Sequence, residues 1–263
     1  MPAPLTFEAL AITFFVGTAA SAWLTRAPIH RRHRVARLSL LAAAAVVVAS
    51  FVLPIAARLW LAHAYLVAGY HLPALLVQWD PGSRIPDPES FEAWLIRADE
   101  RCFSDPFPLP AWAAAALELS YLFCYLLVPA AFVFVWTRST VGAAGHFWTT
   151  VLLAGFACYG LLPWLVSPPP RARLSESSDS SRIRHLNLLI LERVSHGFNT
   201  FPSGHVAVSV AAALEVLSLS TSAGLVALTL ALAIAAGAVA GRYHYVIDVV
   251  VGGAVGVAAW LLT

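Results

Sequence analysis

Phe201-Pro202-Ser203-Gly204-His205 and Gly241-Arg242-Tyr243-His244-Tyr245-Val246-Ile247-Asp248 bracket the stretch from which the fold of this chain is read. Residues 206–240 between them are mostly apolar and are interrupted only near Ser218 to Gly224. A helix needs about 20 residues to cross a bilayer, so the interval fits two short spans joined by a tight turn. A down-and-back hairpin returns the chain to the face it left. His205 and His244 therefore emerge on one membrane face, each at the mouth of a helix.

The polar clusters carry chemistry. The first turn of a helix leaves backbone N–H groups unpaired and bears a partial positive charge. Ser203 near the cap, with Gly204 allowing close approach, forms a cradle for an anion such as phosphate. His205 in that turn is placed to donate a proton to a leaving oxygen. His244 and Asp248 are four residues apart and share one helix face. A carboxylate beside an imidazole fixes its tautomer and supports charge on the ring. The other ring nitrogen is then a nucleophile toward phosphorus.

Each feature also has a plainer reading. Ser-Gly turns open many helices, and a His–Asp pair can serve only to orient two helices. Against the second stands the cost of burying an ionisable pair in a membrane without a functional reason. Arg242 and Arg171 are candidate phosphate-binding cations through their forked donors, or else arginines at the membrane surface. His196 and Asn199 lie just upstream of the cradle and are candidate lining residues. Glu118 and Tyr121 read as helix-contact groups, with a cavity-facing role open to Glu118. Glu215 sits too far down its helix to join the site, and His63 and His71 read as interfacial rather than as metal ligands.

Composition excludes an ordinary soluble protein. The 263 residues are 60 % hydrophobic and 11 % charged, with a mean hydropathy of +0.77, the signature of a multi-span membrane protein. The net charge of +2 distinguishes no partner, and nucleic acid is not expected among them. All 16 basic residues are Arg, so a phosphate-binding cation must be Arg or His. Cys102, Cys124 and Cys158 have no metal-ligand spacing and suggest no disulfide framework. The N-terminus lacks a basic leader and carries Glu8, so its apolar stretch reads as a retained span rather than a cleaved signal.

Seven spans are expected, within a range of six to eight: Leu5 to Leu24, Leu38 to Ile55, Ala111 to Trp136, Phe147 to Val166, Val206 to Leu219, Gly224 to Ala240 and Tyr245 to Leu262. Residues 1–37 form an extra span with a basic loop (Arg26, Arg31, Arg32, Arg34, Arg37). Such short Arg-rich loops stay cytoplasmic. Residues 38–263 form the main membrane domain, with an external loop at 78–110 carrying a short helix near Ser90 to Glu100. Arg58 to Val77, interrupted by His63, His71 and Pro73, reads as interfacial or re-entrant. Pro168-Pro169-Pro170 stops a helix, and Arg171 to Asn199, with the polar run Ser175 to Ser181, reads as an external loop. On this count the site faces the non-cytoplasmic side of the cell membrane.

Taken together, Phe201-Pro202-Ser203-Gly204-His205 and His244-Tyr245-Val246-Ile247-Asp248 resemble the type 2 phosphatidic acid phosphatase superfamily. The resemblance runs from about Ala111 to the C-terminus. With Tyr after His, the second motif is most similar to the inositol phosphorylceramide synthase–like branch. The resemblance implies a six-span helical core and a metal-independent, cofactor-free reaction. It makes His244 the nucleophile that forms a phosphohistidine, Asp248 its orienting carboxylate and His205 the general acid, with Ser203 and Gly204 contacting phosphate. Two departures stand out. The Lys, six residues, Arg-Pro motif of most such phosphatases is missing, and Pro169-Pro170-Arg171 stands in its place. Six residues before His244, where those phosphatases carry Arg, this chain has Ala238.

The expectation is therefore an all-α polytopic membrane enzyme, a phosphatase or phosphotransferase acting on a lipid phosphate. Water or a second alcohol or headgroup would accept the phosphoryl group. A non-catalytic lipid-binding or scaffold protein of the same fold is the rival reading, favoured by the missing basic motif and opposed by the intact His205, His244 and Asp248. A transporter would carry charges deep in several spans and broken helices near mid-membrane, and neither is clear here.

Overall fold

The computed structural model describes residues 4–77, 90–102, 109–172 and 182–263. Among them run helices α1 (Thr6–Ser21), α2 (Ile29–Val52), α3 (Ile55–Ala74), α4 (Phe91–Cys102), α5 (Ala111–Leu122) and α6 (Leu127–Arg138). They are followed by α7 (Val141–Tyr159), α8 (Arg182–Val194), α9 (Gly204–Leu219), α10 (Thr221–Ala240) and α11 (Val246–Leu262). A two-residue antiparallel ladder pairs β1 (Val166–Ser167) with β2 (Asn199–Thr200) and ties the segment after α7 to the approach to α9.

Helices α1, α2, α7 and α10 are each long and apolar enough to cross a membrane. The pair α5 and α6 forms a fifth candidate, bent by 56°, and α9 and α11 are shorter apolar helices. The chain is thus an all-α polytopic bundle. The bend has a covalent cause: Pro129 lacks the N–H that would bond the Tyr125 carbonyl, and a short 3-10 turn at Phe123–Tyr125 occupies the break. Two turns are set by short polar side chains. Thr140 Oγ1 accepts from the Ala143 N–H at 3.2 Å to start α7. Ser220 ends α9, and its Oγ accepts from Ala223 N–H at 3.4 Å to start α10.

Helix α9 is central, touching α6, α7, α10 and α11. Its approach to α11 is close because α11 offers glycine at two successive turns. A Cβ on Gly252 would stand 2.6 Å from the Ser203 carbonyl oxygen, and one on Gly256 would stand 2.5 Å from that of Ala207. Small residues at this spacing let two helices pack backbone to backbone in lipid.

Three stretches take fuller shape in the structure. Residues Arg58 to Val77 belong mostly to α3, which packs against α1, α2 and α7 with Leu59 and Ala62 fully buried, and which is not among the helices long and apolar enough to cross a membrane. The polar residues that weakened its hydropathy are satisfied inside. Arg58 pairs with the buried Glu8 of α1, and the His63 ring lies among Trp60, Phe132 and Trp148 at 4.5–5.7 Å between centroids. The basic loop is partly helix, since α2 begins at Ile29 and takes in Arg31, Arg32, Arg34 and Arg37. The polar loop before Asn199 contains α8, amphipathic and docked through Asn187 and Leu191. The short helix near Ser90 is present as α4. Residues 78–89 of the expected external loop, and the Ser175 to Ser181 run, lie outside the described residues.

Because α3 runs antiparallel to α2, it returns the chain to the end where α2 began. Arg31 Nη1 donates to the Val77 carbonyl at 2.9 Å. Val77 in turn packs with Ala74, Leu162 and Phe198 beside the approach to α9. The basic segment and the residues around His205 consequently share one end of the bundle.

Replacing Gly256 by Ala should destabilise the folded protein by roughly 1–3 kcal/mol, because the obstructing atom is backbone and no rotamer change relieves it. Gly253→Ala, whose added Cβ meets nothing closer than 4.0 Å, should be near neutral. Unfolding midpoints of the two variants in detergent provide the comparison.

Candidate active site

The end of α10 builds one wall of the site. After Gly241 the chain turns through Arg242 in the left-handed region, φ +57°. This lets the Tyr243 and His244 N–H groups both donate to the Ala238 carbonyl, at 2.9 and 3.0 Å. Two α10-end hydrogen bonds thus hold the backbone at His244. The chain then enters α11, whose first N–H, on Val246, donates to Asp99 Oδ1 of α4 at 2.9 Å.

His244 Nδ1 and Asp248 Oδ2 are 2.6 Å apart, and both residues are buried. A carboxylate can only accept, so Nδ1 carries the proton and Nε2 is the ring nitrogen left for other chemistry. The Ser203 N–H donates to the Asp248 carbonyl at 3.2 Å, joining the start of α9 to the first turn of α11. The ring of His205 stands 6.2 Å from that of His244, centroid to centroid, at 83°. Tyr125 and Tyr121 flank His205 at 5.5 and 6.3 Å. The guanidinium of Arg171 lies 5.0 Å from the centre of the Tyr243 ring, and its backbone N–H donates to the Arg242 carbonyl at 3.0 Å. Burial pulls the Arg171 guanidinium below its ordinary pKa. No carboxylate among the described residues pairs with it.

His205, His244, Asp248, Ser203, Gly204 and Arg171 therefore meet at one end of the bundle. Arg242 is engaged elsewhere: its Nη1 lies 3.5 Å from Asp99 Oδ2, and its backbone completes the end of α10. Ser203 occupies the N-cap position of α9 as expected, but its side chain makes no capping bond; Thr200 Oγ1 accepts from the Gly204 N–H at 3.2 Å instead. Gly204 serves packing as well, since a Cβ there would stand 2.3 Å from the Tyr159 ring. Among the described residues, the Ser203 hydroxyl and Asp248 Oδ1 are buried with no hydrogen-bond partner. Unsatisfied buried oxygens are costly and rare, and both lie at the mouth of α9 and α11.

His196 and Asn199 contribute differently. Asn199 Nδ2 donates to the Tyr243 carbonyl at 2.7 Å. His196 Nε2 meets His71 Nδ1 at 2.8 Å, joining α3 to the segment that leads into α9. Glu118 is a helix-contact group with three neighbours, described further below. Glu215 lies with His146 and Thr150 of α7, away from the site. Residue patterns alone did not single out Asp99, Tyr125, Arg184 or Tyr243. Tyr243 sits inside the second motif, but its contacts come from elements distant in sequence.

A helical membrane bundle with a His–Asp pair facing a second histidine at the mouths of two helices is the class these observations define. The PAP2 superfamily profile matches residues 89–262, and the chain belongs to that superfamily. The match runs from α4 through α11 and includes His205, His244, Asp248, Ser203, Gly204, Arg171 and Arg242. Neither a curated protein nor a solved structure matches the chain.

Stability at this end should depend on pH through His196. Burial, and secondarily the neighbouring His71, hold its pKa below the ordinary 6.5. The unfolded chain then binds the proton more readily, so stability present above pH 6.5 should fall as pH drops below it. In His196→Gln the loss over that window should shrink, as read from unfolding midpoints between pH 7.5 and 5.

Proposed function

We propose that this protein is an integral membrane phosphatase or phosphotransferase that works on a lipid phosphate through a phosphohistidine. Membership of the PAP2 superfamily supports a phosphatase-type enzyme. The observation that carries the finer reading is the His244–Asp248 contact at 2.6 Å with the His205 ring across from it. Nε2 of His244 forms a bond to phosphorus as the ester P–O bond breaks. His205 gives its proton to the departing oxygen. Water or an alcohol then attacks the phosphohistidine, His205 takes the proton from the attacking oxygen, and His244 is released. Asp248 holds the ring and stabilises its charge throughout.

Arg171, rather than Arg242, is the cation we assign to the phosphate oxygens, with the unpartnered Ser203 hydroxyl as a further donor. The scheme routes no step through a metal or cofactor. Tyr245 after His244, and Pro169-Pro170-Arg171 where most such phosphatases carry a Lys-containing motif, support the inositol phosphorylceramide synthase–like branch. A lipid substrate suits a site at the end of an apolar bundle. There two amphipathic helices, α4 and α8, lie beside it with Trp94, Leu186 and Leu189 exposed.

The orientation we propose reverses the expectation drawn from the sequence. Arg31 of α2 bonds Val77 beside the approach to α9, and Arg171, Arg184 and Arg242 gather around Tyr243 at that end of the bundle. Arginine retained near span ends marks the cytoplasmic side, so the site faces the cytoplasm and draws on the inner leaflet of the cell membrane. Cys102, exposed at that end, should resist a membrane-impermeant maleimide in intact cells and react after permeabilisation. Ser222→Cys, in the exposed α9–α10 turn, should label in intact cells. The opposite pattern would return the site to the outside.

His244→Ala should abolish both turnover and the phosphoenzyme trapped by alkaline quench. His205→Ala should slow a substrate with a poor leaving group by roughly 10² to 10⁴, and an aryl phosphate much less. Asp248→Asn should leave residual activity, and chelators should have no effect. A phosphoenzyme lost in His205→Ala but kept in His244→Ala would exchange the two roles. Its absence from the unsubstituted protein would favour the non-catalytic reading.

A further inference from the structure

Glu118 on α5 is buried, and its side chain takes three donors from other elements. Tyr243 Oη donates to Oε2 at 2.6 Å, Asn187 Nδ2 to Oε2 at 2.6 Å, and Arg184 Nη1 to Oε1 at 2.8 Å. Asn187 Nδ2 also donates to the Glu118 backbone carbonyl at 2.8 Å. A carboxylate removed from water is costly unless its oxygens are satisfied by charge and hydrogen bonds together. Here α8 and the α10–α11 loop supply both. The arrangement is more than a helix-to-helix contact, because one of its members adjoins His244 in the chain.

Tyr243 is held at three points. Glu118 takes its hydroxyl. Its ring stacks on Tyr121, 4.2 Å between centroids and 4° between planes, with the Arg171 guanidinium 5.0 Å from its centre. Asn199 takes its carbonyl at 2.7 Å. Fixing the hydroxyl and carbonyl of one residue leaves little freedom to the peptide that follows. Burial and the bond to Glu118 push the Tyr243 pKa up, so the hydroxyl stays a donor.

We infer that Glu118 is a positioning residue: by clamping Tyr243 it sets His244 in the attitude that meets Asp248 on one side and faces His205 on the other. The inference rests on reading this site as the phosphoryl-transfer centre. Glu118 acts through Tyr243 and does not touch substrate. A reactive atom misplaced by about 1 Å loses much of its rate without loss of binding. The clamp therefore bears on kcat rather than KM.

The test uses the full chain in detergent, with Tyr243→Phe as the mild variant and Glu118→Gln as the stronger one. Histidine-labelled NMR follows the low-field Nδ1–H signal of His244, identified by its loss in His244→Gln. Tyr243→Phe should shift or broaden that signal and lower kcat on an aryl phosphate about tenfold, with KM within twofold. The double variant should be no slower than the slower single one, because both remove one linkage. An unchanged signal and kcat in Tyr243→Phe would overturn the inference. So would independent, multiplying losses, or a kcat that recovers once corrected for the folded fraction. If the unsubstituted protein turns over no phosphate ester, the phosphoryl-transfer reading falls, while the NMR signal still decides whether Glu118 and Tyr243 position His244.

Discussion

The backbone-to-backbone approach of α11 to α9 is the constraint on which the site depends. Gly252 and Gly256 bring the helices close enough for the Ser203 N–H to bond the Asp248 carbonyl at 3.2 Å. With no Cβ on the two glycines, the starts of the two helices are joined through backbone. Asp248 holds His244 from the α11 side of that junction, and His205 rises from the α9 side. Lipid offers little hydrophobic drive for helices to associate, so packing of this kind and internal hydrogen bonds must supply it.

The same economy of polar groups explains why so many charges sit inside an apolar protein. In lipid an unsatisfied polar group has no water to turn to. Glu8 and Arg58 answer each other between α1 and α3, Glu215 meets His146 and Thr150, and Glu118 gathers Tyr243, Asn187 and Arg184. The first two of these tie spans to spans. The third ties the spans to α8 and to the loop that bears His244, so a structural contact also reaches the chemistry.

The path of α3 decides which residues share an end of the bundle. A hydropathy scan sees Arg58 and His63 as obstacles to crossing, because it values each residue as though alone. Within the bundle Arg58 has Glu8 and His63 has an aromatic cage, so those costs are met and the helix runs the length of its neighbours. Its return sets the arginines at the start of α2 at the end of the bundle that holds the site. The departure from the usual basic motif then takes a different meaning, since the site end is rich in arginine supplied from elsewhere in the chain.

By itself the sequence determined the fold class, the hairpin of α9 and α10, and the meeting of His205, His244 and Asp248. Long apolar runs mark membrane helices, and a spacing of four residues sets a helix face. Both are local properties, readable without knowing any neighbour. Only the tertiary structure decided that Arg242 closes a helix and pairs with Asp99 while Arg171 lies over Tyr243. It alone decided that the Thr200 hydroxyl rather than that of Ser203 takes the Gly204 N–H, that α3 belongs to the bundle, and that Glu118 reaches Tyr243. Each of these turns on which side chain from a distant segment satisfies a buried donor or acceptor. Partners separated by 125 residues, as Glu118 and Tyr243 are, leave no periodic trace in the chain.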